Sequence, residues 1–294
     1  MAKANNTNDQ ILEKHIVPYE KRLVAFLDLQ GFKDDIILNY PSEAIGSLFG
    51  KFNSLKGMLE RDDNDLQVTI ISDSIVISVT LNKSENLIHF FNACSFFAKP
   101  RMGNLFIAIR GGIAYGDLHH KDNIVFGPAL VDAYDISEGK RKSDFLHVRM
   151  PTEVYKLISQ LPIFGKFSMA VLFPESEKKE YYIFNPWLFH LTVACMEGTQ
   201  AAPEAYDDII LRLKEHVAWS IMNIAKYRES SPYICAKYEE LLIQTLHTFD
   251  TIKNIHYHIL SSSSQKIVDF YSDSKKAIPF AHQLEQRLKT ENIM

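Results

Sequence analysis

Apolar positions along this chain fall into alternating stretches of strand-like and helix-like spacing. Arg22–Leu29 (RLVAFLDL) is short and almost wholly apolar, which predicts a buried strand, and it is followed at once by Gly31 and a helical pattern. After Pro41, Ser42 stands where it can cap a helix whose apolar positions Ile45, Leu48, Phe49, Phe52, Leu55 and Leu59 recur at three and four residues. Two β-rich runs follow, LQVTII and SIVISVT, separated only by Ser72 and Asp73, the mark of a tight hairpin. A second helix is predicted from Ser84 to about Ala98, with Leu87, Ile88, Phe91 and Cys94 on one stripe. NLFIAIRGGIAYGDL then reads as a long strand whose glycines mark a bend or a close backbone approach. GPALVDAYDISE predicts a third helix and FLHVRM a strand; a short helix from Pro151 and strands at FSMAVLF and YYIF complete a sheet by about Asn185.

The order strand, helix, hairpin, helix, strand excludes a doubly wound parallel sheet, because the hairpin puts antiparallel neighbours at its centre. It predicts an α+β sandwich of βαββαβ type. Beyond Pro186 the composition shifts, and from Pro203 onward the pattern is helical only, broken by SSP and SSSS turn signals. Three parts are expected: a polar, Asn-rich N-terminal tail over 1–17, a core over 18–200 and a helical C-terminal extension over 201–294. The stripe of Ile209, Leu213, Val217 and Ile221 reads as core rather than as a groove for a partner.

Composition narrows the function. With 294 residues, 46% hydrophobic, 23% charged and a net charge of −4, the chain has length for a sizeable core and gives no electrostatic footprint for nucleic acid or an anionic membrane. No run approaches the roughly 18 apolar residues of a spanning helix, and the N-terminus lacks an apolar signal core, so a cytoplasmic location is expected. Cys94, Cys195 and Cys235 are scattered and odd in number, as buried thiols would be. His119-His120 and the IHYHI stretch lack the spacing of a zinc helix.

Candidate chemistry gathers at two carboxylates. Asp28 closes the first strand beside the glycine turn, and Asp73 sits at the tip of the hairpin. If the hairpin pairs beside the first strand, the two converge. Two hard oxygen ligands beside backbone N–H groups suited to an anion describe a Mg²⁺ or Mn²⁺ site for nucleotide chemistry. The other reading makes Asp28 a helix cap and Asp73 a turn residue.

Four segments carry a family resemblance. FLDLQGF resembles the first metal-binding motif of class III nucleotidyl cyclases, ISDS their metal-bearing hairpin, IRGGIAYG the following strand, and GPALVDAY the start of the next helix, in family order across about residues 20–150. The resemblance implies two divalent ions, Mg²⁺ or Mn²⁺, on Asp28, Leu29 and Asp73, and a nucleoside triphosphate whose phosphates lie on backbone N–H groups of Leu29, Gln30, Gly31 and Phe32. It also implies a ferredoxin-like βαββαβ cyclase core and a head-to-tail homodimer with sites at the interface.

This chain departs from the family in the half of the site that reads the base. Where purine cyclases carry a selecting Lys the chain has Thr69, and where they carry a second selecting carboxylate it has Ile124; the family's Asn and transition-state Arg fall on Val131 and Asp135. In these respects it is similar to the pyrimidine cyclases of Pycsar anti-phage systems, which cyclise UTP or CTP into a signal for a companion effector. UTP is favoured, and the effector is reached through the product rather than by contact. A purine cyclase with an atypical pocket, or a nucleotide-binding module without turnover, are the alternatives.

With Asp135 at the arginine position, another cation must meet the charge on leaving pyrophosphate. Arg110, which leads the RGG strand, is the first candidate, against a plain surface salt bridge. Lys140, Arg141 and Lys142 could reach a triphosphate, or could simply be a solvated helix end. Thr69, four residues before Asp73 on a strand, is placed to contact the base. Tyr115 and Tyr134 either narrow the pocket or belong to the core.

Overall fold

A computed structural model describes residues 18–30, 32, 42–60, 65–98, 101–102, 105–106, 108–138, 146–166, 172–174, 180–197 and 201–255. The elements are β1 (Glu20–Gln30), α1 (Ser42–Leu59), β2 (Gln67–Ile71), β3 (Ser74–Thr80), α2 (Glu85–Ala98), β4 (Arg101–Met102), β5 (Leu105–Phe106), β6 (Ala108–Lys121), β7 (Ile124–Phe126), α3 (Pro128–Glu138), β8 (Val148–Pro151), α4 (Thr152–Ser159), β9 (Leu172–Pro174), β10 (Tyr181–Phe184), α5 (Pro186–Glu197), α6 (Ala201–Tyr227) and α7 (Pro232–Ile255).

The main sheet runs β2-β3-β1-β6-β8-β10-β9, with β7 folded back on the far end of β6. Its first four members are antiparallel, in the order expected of a βαββαβ core, and β8 joins β6 in parallel at Gly111 and Gly112. The α+β class therefore holds. β1 is central and covered on both faces, which is why its sequence is a near-continuous apolar run rather than an alternation.

On one face Leu23, Ala25, Leu27 and Leu29 of β1 join Leu48 and Phe52 of α1, Leu87, Phe90, Phe91 and Phe97 of α2, and residues of α5, α6 and α7 in one large core. On the other face Val24, Val76, Ala114 and Leu118 meet only Ala129 and Ala133 of α3, with Phe26, Val125, Leu130 and Ile136 at the margin. The helical segment thus shares its core with the sheet: Ile209, Leu213, Val217 and Ile221 are all buried, as expected of a core stripe.

Three expectations need restating. Of the long strand expected at 104–118, the main sheet holds β6 from Ala108 while Leu105–Phe106 pairs with β4, residues 104 and 107 lying outside the described set. The strand expected at FSMAVLF is described only as β9, Leu172–Pro174, its earlier residues lying outside the described set. A helix the periodicity did not show, α5, follows Asn185, whose Oδ1 accepts the N–H groups of Trp187 and Leu188 at 3.1 Å each; Asn185 caps the helix with proline behind it in the first position. PWLFHLTVACME is apolar on all sides, so no stripe marks it.

Gly112 explains how α3 sits so low on the sheet. A Cβ there would stand 2.1 Å from the Ala133 carbonyl oxygen and 2.7 Å from Ile136 Cβ. The close approach anticipated from the sequence is that of a helix, and it brings the C-terminal end of α3 against the strand that carries Arg110. Cys94 and Cys235 are buried free thiols, and among the described residues no helix is long and apolar enough to cross a membrane.

Candidate active site

Asp28 is the last aligned residue where β1 meets β3, opposite Ser74, and on its other side it faces Arg110 of β6. The hairpin β2–β3 turns through Ser72 and Asp73, with Ser72 in the left-handed region at φ 54°. Its tip is tied to β1 by a backbone bond from Leu29 N–H to the Asp73 carbonyl, 2.9 Å. The fold therefore brings Asp28 and Asp73 together at one end of the sheet, close enough for the Asp73 charge to act on the Asp28 carboxyl.

Asp28 is held from several directions. Arg110 donates through Nε and Nη2 to Asp28 Oδ2, 3.1 Å in each case, and Gln30 Nε2 donates to the same oxygen. Among the described residues Oδ1 receives no such bond. Arg110 Nη2 also reaches Glu138 Oε1, at the last residue of α3. Burial raises the Asp28 pKa above the ordinary carboxylate value; Arg110 opposes the shift, and the negative charges of Asp73 and Glu138 add to it.

These features fit a divalent cation: two hard carboxylates converge, one oxygen of Asp28 is uncommitted, and the Leu29 carbonyl leaves the strand on the side of its N–H, toward the hairpin tip. No cluster of three or more His, Cys, Asp or Glu ligands occurs among the described residues.

Of the expected phosphate contacts, one is corrected. Leu29 N–H is committed to Asp73 and is not available to a phosphate cradle in this conformation. The Phe32 ring packs edge-on against Phe49, 5.8 Å between ring centres, at the core margin, which concerns its side chain and not the backbone N–H expected at a phosphate. Gly31, Lys140, Arg141 and Lys142 lie outside the described residues.

Thr69 is not on an open pocket: it is 3% exposed, and its Oγ1 lies 2.8 Å from His120 Nε2. His120 Nδ1 lies 2.8 Å from Ser78 Oγ, which accepts a bond from Arg22 Nε at 2.9 Å. Arg22 in turn is paired with Glu20 at 3.0 Å and with Asp65 at 3.2 Å. Burial, helped by the positive charge of Arg22, pushes the His120 pKa down to about 3, so the ring is neutral and one nitrogen donates while the other accepts. Sequence reasoning missed this chain of buried polar groups, although a polar residue on alternate positions of three adjacent strands (Arg22, Ser78 and His120) was the signal that could have found it.

Tyr115 pairs in register with Leu23 and packs against the large core, on the face opposite Asp28. Tyr134 shares the Asp28 face, half exposed and edge-on to Phe26 at 5.3 Å. Ile124 and Val131 are exposed, as is Asp135 on α3. With Ile71 and Phe126 they leave several apolar side chains uncovered on the hairpin tips and on α3.

No protein-family model matches the chain, and no curated protein does. Among solved structures it is similar to the monomeric guanylyl cyclase domain of the RhoGC fusion protein from the aquatic fungus Blastocladiella emersonii, at 16% identity over 57% of this chain and 96% of that one, TM-score 0.40. The guanylate cyclase domain of RhGC from Catenaria anguillulae in complex with GTP gives 16% identity, 57% and 97%, TM-score 0.39. The adenylyl cyclase CyaB from P. aeruginosa gives 13% identity, 57% and 96%, TM-score 0.37. Such distant likenesses assign no role to any residue of this chain.

Proposed function

We propose that this chain is a nucleotidyl cyclase that converts a pyrimidine nucleoside triphosphate, UTP before CTP, into its 3′,5′-cyclic monophosphate and pyrophosphate. The observation that carries the reading is the convergence of Asp28 and Asp73 at the end of β1, with Arg110 across the strand from Asp28. It stands beside the four ordered motifs of the sequence. Asp28 and Asp73, with the Leu29 carbonyl, would hold two Mg²⁺ or Mn²⁺ ions, whose chemistry when bound is to acidify the ribose 3′-hydroxyl and polarise the α-phosphate.

The reaction forms a bond between O3′ and the α-phosphorus and breaks the bond from that phosphorus to the bridging oxygen of the β-phosphate. The hydroxyl proton passes to water, and pyrophosphate leaves with the electron pair. Arg110 supplies the positive charge that leaving pyrophosphate needs; its planar fork already grips one oxyanion, Asp28, and suits a phosphate oxygen equally. Gln30 holds Asp28 in place. Pyrimidine preference rests on what the chain lacks: Thr69 and Ile124 stand where a purine-selecting pair has its cation and carboxylate, and Thr69, buried against His120, makes no base contact itself in this conformation.

The exposed apolar side chains of α3 and the hairpin tips support a head-to-tail homodimer in which α3 serves the neighbour's site. The cyclic product would act as a second messenger on a separate effector, in anti-phage defence. A second reading, a nucleotide-binding module without turnover, draws on Val131 and Asp135 at the positions of the family's Asn and Arg. Pyrophosphate release from UTP or CTP with Mn²⁺, lost in Asp28→Ala and Asp73→Ala, supports the cyclase. Saturable nucleotide binding without release supports the module.

A further inference from the structure

We infer that Glu138 is a positioning residue that makes Arg110 exchangeable between two carboxylates and so opens Asp28 to a divalent cation. The inference rests on the proposed metal role of Asp28 and adds a residue that no sequence motif marks. Its basis is the geometry at Arg110. Both Nε and Nη2 lie on Asp28 Oδ2, so although Oδ1 is open the guanidinium neutralises the carboxylate on which a cation would depend. The same Nη2 is shared with Glu138 Oε1, which comes from a different element, the last residue of α3.

A cation arriving at Asp28 repels Arg110. Without a second acceptor, a guanidinium with only 17% of its side chain exposed would lose its partner inside the protein, a costly outcome. Glu138 supplies that acceptor: Arg110 keeps one charge-assisted bond throughout, and its Nε and remaining N–H groups are released together, toward the side where a triphosphate's anionic end would lie. Glu138 is held in register by the seating of α3 on Gly112, so its position relative to Arg110 is set by packing rather than by chance.

The test is Mn²⁺ binding to the purified protein, read by electron paramagnetic resonance without nucleotide or turnover. Asp28→Ala is the control for the site itself: if it leaves Mn²⁺ binding unchanged, the metal reading falls and this inference with it. If Asp28→Ala abolishes binding, Glu138→Gln is expected to weaken Mn²⁺ about tenfold. Part of any such loss could be the missing negative charge alone, so the deciding comparison is made in an Arg110→Gln background. There Glu138 has nothing to exchange, and Glu138→Gln should change the affinity by no more than about twofold, a coupling between the two residues of roughly 1 kcal/mol. Equal weakening in both backgrounds would overturn the inference while leaving Asp28 as a ligand. So would no weakening in either.

Discussion

Leu29 and Asp73 are joined main chain to main chain: the Leu29 N–H meets the Asp73 carbonyl at 2.9 Å, and this bond fixes the hairpin tip against the end of β1. The Asp73 side chain takes no part in it. Asp73→Ala should therefore leave the fold standing, with a change in unfolding free energy within about 1 kcal/mol, while turnover falls by roughly a hundredfold or more through loss of a metal ligand. Thermal melts beside initial rates check this. A large loss of stability would show that the carboxylate holds the hairpin, not a metal.

Gly112 and Gly50 should respond in opposite directions to the same added methyl. At Gly112 a Cβ collides with the α3 backbone at Ala133, so Gly112→Ala should destabilise by roughly 3 kcal/mol or more and dislodge the helix that carries Glu138. Gly50 lies exposed within α1 with nothing within 4 Å of a Cβ, and Gly50→Ala should stabilise by about 0.5–1 kcal/mol. Urea midpoints of the two variants measure both effects. An unchanged Gly112→Ala midpoint would mean that α3 does not seat as described.

Two buried histidines should make the protein acid-labile. Burial depresses His120 and His216 to about 3 from the ordinary 6.5. His216 donates its Nδ1–H to Thr245 Oγ1 at 2.9 Å, because the Thr245 hydroxyl is spent on the Leu241 carbonyl, and its Nε2 has no partner among the described residues. Both rings bind a proton in the unfolded chain below pH 6.5 and not in the folded one, so their contribution is complete above that pH. It is lost as pH falls from 6.5 toward 3, at about 1.4 kcal/mol per pH unit for each group. Urea midpoints between pH 7.5 and 5 should fall accordingly, and His216→Leu should make the dependence shallower. A flat profile in the parent protein would mean that these rings are not buried neutral.

Much of this architecture could be read from the residues, and what escaped did so for identifiable reasons. The hairpin at Ser72-Asp73 announces itself because two β-rich runs leave no other way to connect, and the RGG glycines signal either a bend or a close approach, of which the seating of α3 on Gly112 is the second. Helix α5 escaped because a sequence apolar on every side shows no stripe. Thr69 was misplaced because period-two alternation tells which face a residue takes but not whether that face is open there, and His120, 51 residues away, closes it. Glu138 escaped because its partner Arg110 is reached only through the docking of α3.

Val131 tests the proposed assembly. It is 58% exposed on α3, and a charge there costs the isolated chain little. Val131→Asp should shift the protein from dimer to monomer in sedimentation and lower turnover in parallel, with an unchanged melting temperature at low concentration. A monomeric parent protein with full turnover would remove the interface from the account.

The central claim is that Asp28 and Asp73 serve the cyclisation of a pyrimidine nucleotide, and one incubation addresses it. The purified protein and its Asp73→Ala variant are each supplied with ATP, GTP, CTP and UTP in the presence of Mn²⁺, and the products are identified by mass spectrometry. The account predicts a cyclic pyrimidine monophosphate with an equal amount of pyrophosphate, from UTP before CTP, and none from the variant. A cyclic purine product, or the same product from Asp73→Ala, would contradict it.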